Sequence, residues 1–285
     1  MTQTLPSLVS TDWLAAHHND PGLAVLDASH HLSAAARDAG AEFAAGHIPG
    51  ARFLGLGRLF DADSSVPYAL PRPDQLAARL AELGVAPDAQ IILYDDSALR
   101  SSARAWFMLT ASGWSNVAIL NGGLAKWRAE GRALETNAPA PGSATAATLH
   151  APERVRTKAD MLANLETRGE QVLDARAPDR VYGDGIDPVH GGPNGRIPGA
   201  LNLPHSALFN ADGTYLAPEA LRAAFPAAGI DLARPIVTTC GSGVTASVLM
   251  FALHLIGVEG AALYDGSWSE WSADPATPKA QGPQA

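Results

Sequence analysis

One thiol stands in the whole chain of 285 residues, Cys240, within the stretch VTTCGSGVTASVLMFALHLIG at 237–257. A thiolate is a soft nucleophile that carries its adduct as a covalent intermediate. With an ordinary pKa near ~8.5 a thiol is mostly protonated at neutral pH, so such chemistry needs local help. The residues that follow, Gly241, Ser242, Gly243, Val244, Thr245 and Ala246, can give that help without a basic side chain. A short loop can turn its backbone N–H groups inward as an anion-binding nest, and two glycines permit the positive φ that this demands. Ser242 adds a hydroxyl that can hydrogen-bond a sulfur anion or a substrate carbonyl, or satisfy the loop's own backbone. The competing reading is an inert buried cysteine acting as a small hydrophobe, but a core cysteine has no use for a nest.

The elements around the thiol are legible. Ile236, Val237, Thr238 and Thr239 are all β-branched and predict a buried strand, and the apolar run 245–256 predicts a helix packed on a sheet. Cys240 then sits at the carboxyl end of a strand, where open α/β sheets bind ligands, and the helix after the loop aims its free N–H groups and positive dipole end back at it. A thiol there is expected to be acidified.

Composition narrows the class. A 47% hydrophobic and 17% charged chain has an ordinary globular balance. The net charge of −9 argues against a nucleic-acid binder or a protein of anionic membranes, both of which usually carry basic excess. The start MTQTLPSLVSTDWLAAHH lacks a basic segment followed by an apolar one, and no apolar run approaches a membrane span, so a cytoplasmic location is expected. A single cysteine excludes an intrachain disulfide and any multi-thiolate metal site; neither a metal nor a cofactor is expected.

The chain also repeats itself. VLDAS at 25–29 returns as VLDAR at 172–176, and GHIPGA at 46–51 returns as GRIPGA at 195–200. IILYDD at 91–96 matches IVTTCG at 236–241, and VAILNGGLAKW at 117–127 matches AALYDGSWSEW at 261–271, all in the same order. Short apolar runs alternate with amphipathic stretches such as RPDQLAARLAELG (72–84) and PEALRAAFPAAG (218–229). That alternation predicts an α/β fold of tandem domains, each a mostly parallel sheet flanked by helices. The expected domains are 1–134 and 154–285, joined by an Ala-, Pro-, Ser- and Thr-rich linker at 135–153, and the tail after Trp271 is expected to fray. Where the second copy has Cys240 the first has Asp95, so only the second can be a thiol site.

CGSGVTA after a buried strand, the paired GHIPGA and GRIPGA, and DGSWSEW near the C-terminus together resemble the two-domain rhodanese-type sulfurtransferases. The loop is most similar to that of the 3-mercaptopyruvate sulfurtransferases. The resemblance covers nearly the whole chain. It implies an inactive first domain, a catalytic second one, an active site in the cleft between them, and transfer of sulfane sulfur through a persulfide on Cys240. By the same resemblance Ser242 joins a proton-handling triad with His47 of GHIPGA and Asp38 of RDAGAEF, and Arg180 grips the donor carboxylate. Histidine has the right pKa to move a proton near neutrality, a carboxylate fixes its tautomer, and a guanidinium offers a carboxylate two parallel donors. Read without the resemblance, His47 is a turn histidine, Asp38 a helix-face carboxylate and Arg180 a solvated surface charge.

The sequence departs from the family pattern at one point. The second arginine expected nine residues after Arg180 is Val189, next to His190, so carboxylate binding is weaker, differently arranged, or helped by His190. Thiosulfate-specific members carry a basic loop, CRKGVTA, suited to a dianion. Gly241 and Ser242 in its place favour a monoanionic, carbonyl-bearing donor such as 3-mercaptopyruvate. A rhodanese-fold phosphatase needs an arginine where Ala246 stands. The expected partners are a small-molecule sulfur donor and a thiol acceptor, such as thioredoxin or a low-molecular-weight thiol, or cyanide. The alternatives are a thiosulfate sulfurtransferase and a non-catalytic persulfide carrier.

Overall fold

The computed structural model describes residues 5–136 and 142–282. The described residues form two compact units. The first gathers residues up to Asp61, Leu70–Glu153 and Asn210–Tyr215; the second gathers Ala62–Ala69, Arg154–Phe209 and Leu216 onward. The first runs β1 (Leu8–Val9), α1 (Thr11–His17), β2 (Leu23–Asp27), α2 (Ala39–Ala45), β3 (Arg52–Phe53), α3 (Pro73–Glu82), β4 (Gln90–Tyr94), α4 (Ser102–Ala111), β5 (Val117–Leu120) and α5 (Gly123–Ala129). The second repeats the order as β6 (Val155–Arg156), α6 (Lys158–Thr167), β7 (Gln171–Asp174), α7 (Pro178–Tyr182), β8 (Leu201–Asn202), α8 (Pro218–Ala227), β9 (Ile236–Thr239), α9 (Ala246–Leu255), β10 (Ala262–Tyr264) and α10 (Ser267–Ala273).

Each unit is built on a five-stranded sheet, ordered β1-β5-β4-β2-β3 in one and β6-β10-β9-β7-β8 in the other, with every pairing parallel. Parallel strands need helical crossovers that cover both faces, which is why the central strands read as continuous apolar runs rather than alternating ones. All four residues of β9 are buried. The sequence-predicted helices 72–84 and 218–229 become α3 and α8, the first opened by Pro73 and burying Leu76, Ala77 and Leu80 on one face. In the second sheet the chain moves outward from β7 to β8 and then returns to β9 and β10, so the order reverses between β7 and β9. A reversal of this kind opens a crevice at the carboxyl ends of the two strands, and Cys240 follows directly after β9.

Two segments depart from their expected looseness. The described part of the compositional linker is strapped to the first unit: the N–H groups of Ala144, His150 and Glu153 donate to the carbonyls of Ala81, Ser112 and Ala111. Residues 137–141 of that linker lie outside the described residues. The tail does not fray over its described length. Arg196 and Ala280 exchange backbone hydrogen bonds of 2.9 Å, as His47 and Glu135 do in the first unit, so each G-x-IPGA turn is paired by the chain that leaves its unit's last helix. The Trp271 indole donates to the Pro278 carbonyl at 2.8 Å, the Thr277 hydroxyl donates to the Trp271 carbonyl, and Arg196 reaches the Gly282 carbonyl at 2.6 Å. Composition suggested disorder here, but a fully buried tryptophan needs this cover.

Truncation after Ala273 should therefore expose Trp271 and lower the thermal unfolding midpoint by at least about 4 °C, on the scale of one or two kcal/mol for a domain this size. An unchanged midpoint in a calorimetric scan contradicts the role given to the tail.

Candidate active site

The turn after β9 holds its carbonyls on one side. The Cys240 carbonyl accepts the Trp268 N–H and the Gly241 carbonyl accepts the Ser269 N–H, both at 2.9 Å, while the Cys240 N–H donates to the Ser267 hydroxyl at 3.2 Å. The first turn of α10 thus fixes the chain direction at the thiol. Beyond it, no backbone N–H of residues 241–246 donates to an oxygen or nitrogen of any described residue, although all six residues are buried. Buried amides are almost always paired, so a run of uncommitted donors beside a buried thiol marks a place for an anion. The first helical amides of α9, which opens without a side-chain cap, add their dipole to the same end.

The first unit shows what such a turn holds when its own side chain is the anion. Asp95 follows β4 as Cys240 follows β9, and its carbonyl accepts the Leu124 N–H at 3.0 Å as that of Cys240 accepts the N–H of Trp268. Its carboxylate takes the N–H groups of Ser97 and Ser102 at 3.0 and 2.8 Å, the latter at the start of α4. The repeat therefore preserves an anion position and changes its chemistry from carboxylate to thiol.

The glycines of the loop serve different ends from those expected together. Gly243 has φ +77° and uses its freedom. Gly241 does not lie at positive φ; it leaves space that a side chain would take. A Cβ at Gly241 would fall 1.8 Å from Nε2 of His190, so the imidazole lies directly over the residue after the thiol. Ser242 is buried beside it, with a hydroxyl that makes no hydrogen bond to a described residue.

Arg180, on α7, spends its side-on fork on Asp187. Nε donates to both carboxylate oxygens at 3.1 Å and Nη2 to one of them at 2.9 Å. The two-pronged grip expected for a donor carboxylate is thus already occupied on that edge, and the end-on pair of N–H groups on Nη1 and Nη2 remains. Asp187 is fully buried and also takes the backbone N–H groups of Val189 and His190 at 2.8 and 3.3 Å. Burial alone would push its carboxyl up; the hydrogen bonds from Arg180 and Val189 and the neighbouring cations outweigh this and hold it below the ordinary value. Behind it Arg176, fully buried, donates to Asp174 and to the Gly195 carbonyl and stacks over Trp268 at 4.8 Å. Burial opposes its charge, but Asp174, Asp187 and the facing Cys240 keep the guanidinium charged. Neither Arg176 nor Asp187 was singled out in the sequence. The available signal for Arg176 was the one difference between VLDAS and VLDAR, an arginine only in the copy that bears the cysteine.

His47 and Asp38 belong to the first unit and are not bonded to each other there. The Asp38 carboxylate caps α2, accepting the N–H groups of Gly40 and Ala41 at 2.9 and 3.1 Å. It lines an open cleft of about 690 Å3 with His30, Arg37 and Arg58. The His47 ring is fully buried and stacked on Phe43 at 3.9 Å, and its Nδ1 lies 2.8 Å from the Phe43 carbonyl. A carbonyl only accepts, so Nδ1 carries a proton, and Nε2 has no partner among the described residues. Nδ1 is thus held by a carbonyl four residues earlier, and the Asp38 carboxylate makes its hydrogen bonds to α2.

A model of the rhodanese-like domain matches twice, over residues 10–130 and 157–274. The chain belongs to the rhodanese family. It is 39% identical over 266 residues to the 3-mercaptopyruvate sulfurtransferase of Escherichia coli K12, covering 93% of this chain and 94% of that protein. It is 35% identical over 285 residues to the thiosulfate sulfurtransferase of Cricetulus griseus, covering 97% and 96%. The crystal structure of SseA from Escherichia coli, described as a 3-mercaptopyruvate sulfotransferase, superposes with a TM-score of 0.83 at 36% identity, over 93% of this chain and all of that one. The rhodanese fold accounts for the duplicated parallel sheets. The second rhodanese domain alone places the thiol, the uncommitted amides and the Arg176–Asp187–Arg180 network side by side.

That network carries a pH signature. Because the folded Asp187 lies below its ordinary value of 3.8, its contribution to stability is present above that pH and is lost as pH falls through the folded value. Asp187→Ala should cost about 3 kcal/mol or more at neutral pH, since it leaves two guanidiniums facing a void, and should flatten the acid limb of the stability profile below pH ~4. Denaturant midpoints measured between neutrality and pH ~3 decide it; an unchanged acid limb in the variant removes Asp187 from the account.

Proposed function

We propose that this protein transfers sulfane sulfur from 3-mercaptopyruvate to a thiol or cyanide acceptor through a persulfide on Cys240. The observation that carries this reading is the loop of residues 241–246, whose amides are uncommitted donors at a buried thiol and whose side chains bear no charge. The Cys240 thiolate attacks the donor sulfur. The carbon–sulfur bond of the donor breaks, its electron pair passes to carbon as the pyruvate enolate, and a proton converts that to pyruvate. The sulfur stays on Cys240 as a persulfide held by the loop amides, and an acceptor thiolate attacks the outer sulfur and regenerates the enzyme thiolate. Ser242, whose hydroxyl makes no hydrogen bond to a described residue, handles the proton on the loop, and the end-on edge of Arg180 receives the donor carboxylate.

The likeness to a thiosulfate sulfurtransferase favours a second reading, in which the donor is a dianion. The loop supports it less well, because no cation stands at Gly241 or Ser242 to add to the single end-on edge of Arg180. The acceptor is proposed to be a thiol such as thioredoxin or a low-molecular-weight thiol, in the cytoplasm. Among the described residues no helix is long and apolar enough to cross a membrane.

Two experiments test the reading. Cys240→Ser should abolish turnover, and mass spectrometry of the wild-type chain after donor alone should show one added sulfur on the peptide containing Cys240; turnover without that adduct contradicts the covalent route. Arg180→Lys should raise the Michaelis constant for mercaptopyruvate by about tenfold or more, because a point charge cannot serve Asp187 and a donor carboxylate together. An unchanged constant in a folded variant assigns Arg180 to Asp187 alone.

A further inference from the structure

His190 stands where neither the fold nor the ion network requires a histidine. Its backbone is fixed: its N–H and that of Val189 close on Asp187, the Gly191 N–H returns to the Asp187 carbonyl, and the Asp187 N–H donates to the Gly192 carbonyl. This tight turn holds the ring over Gly241, with Nε2 in the space a side chain there would fill. The ring is half-buried, and neither ring nitrogen hydrogen-bonds a described residue. A half-buried ring on a fixed turn, with no hydrogen bond to a described residue at either nitrogen and set against the residue after the nucleophile, is arranged to meet what binds there.

We propose that His190 is a donor-selecting residue of the Cys240 site, giving a ring N–H to the carboxylate or carbonyl oxygen of a small α-keto thiol donor as it enters over Gly241. This deepens the reading of function above and rests on it. The groups facing the ring are Asp187, Arg180 and Arg176. Burial lowers its affinity for a proton, Asp187 opposes this and Arg180 and Arg176 add to it, and the net shift is downward, so the imidazole is neutral at physiological pH. A neutral ring still has one N–H to donate, and it adds no cation to attract a dianion. End-on Arg180 and His190 then flank the donor with one charge between them, which matches a monoanion.

The test is steady-state kinetics of the full chain with mercaptopyruvate and with thiosulfate at a fixed acceptor concentration. His190→Ala should raise the Michaelis constant for mercaptopyruvate about tenfold with a smaller change in kcat, and His190→Gln, which keeps an N–H donor, should recover most of that loss. His190→Arg should move the ratio of the two kcat/KM values toward thiosulfate. Gly241→Ala should impair the wild type by displacing the ring, yet add little to His190→Ala, a coupling that a purely structural histidine would not show together with rescue by glutamine. If the wild type turns over mercaptopyruvate while His190→Ala, folded by its unfolding midpoint, keeps its Michaelis constant within twofold, the role of His190 is overturned. If the wild type does not use mercaptopyruvate at all, the donor assignment itself falls.

Discussion

A strand that ends in a tight turn before a helix leaves a row of backbone amides pointing at one spot, and burying those amides without an acceptor costs about 1–3 kcal/mol for each. Both halves of this chain contain that turn, at the carboxyl end of the equivalent strand of a parallel sheet. In the first half Asp95 provides the acceptor from its own side chain, and the turn is closed. In the second half the residue is Cys240, whose single sulfur is a weak acceptor while protonated and a good one as an anion. The amides of that turn have no acceptor among the described residues, and on the proposed reading they receive the sulfur carried on Cys240. On that reading the chemistry of the site follows from an unpaired requirement of the backbone rather than from a basic side chain.

The rest of the second unit keeps that arrangement fixed. The Cys240 and Gly241 carbonyls are tied to the first turn of α10, and Trp268 from the same turn supports the buried Arg176 by its ring face. Arg176, Asp174, Asp187 and Arg180 alternate in sign, so each charge in the network has a partner and only the end-on edge of Arg180 stays open. Buried pairs of this sort are weak sources of stability but hold position well once formed, because removing one member strands the others. What they position is the 187–192 turn and, through it, the ring of His190 over Gly241.

Much of this was legible in the sequence, and the residues show where legibility ends. The strand 236–239, the helix behind it and the duplicated sheet order follow from β-branched runs, apolar periodicity and the repeated motifs, all of which are local signals. The placing of Cys240 and its loop between strand and helix was legible for the same reason, since both flanking elements are contiguous with it. Gly241 was read as conformational, whereas it makes room for a ring that comes from His190, fifty-one positions earlier. Arg176 and Asp187 escaped notice because single charges in a sequence carry no record of their burial. The tail was read as loose from its alanines and prolines, yet backbone pairing with Arg196 is indifferent to side-chain composition. Asp38 and His47 were linked by resemblance; in the first unit the carboxylate caps a helix and the imidazole answers to the Phe43 carbonyl.

The central claim is that the amides of residues 241–246 are the acceptor site for sulfur carried on Cys240. It is tested most directly by a crystal structure of the wild-type protein after reaction with the donor and removal of excess. The account predicts one additional sulfur bonded to Cys240, its outer atom within hydrogen-bonding reach of several of those N–H groups. A persulfide turned away from the loop, with its amides bonded to water, would contradict it.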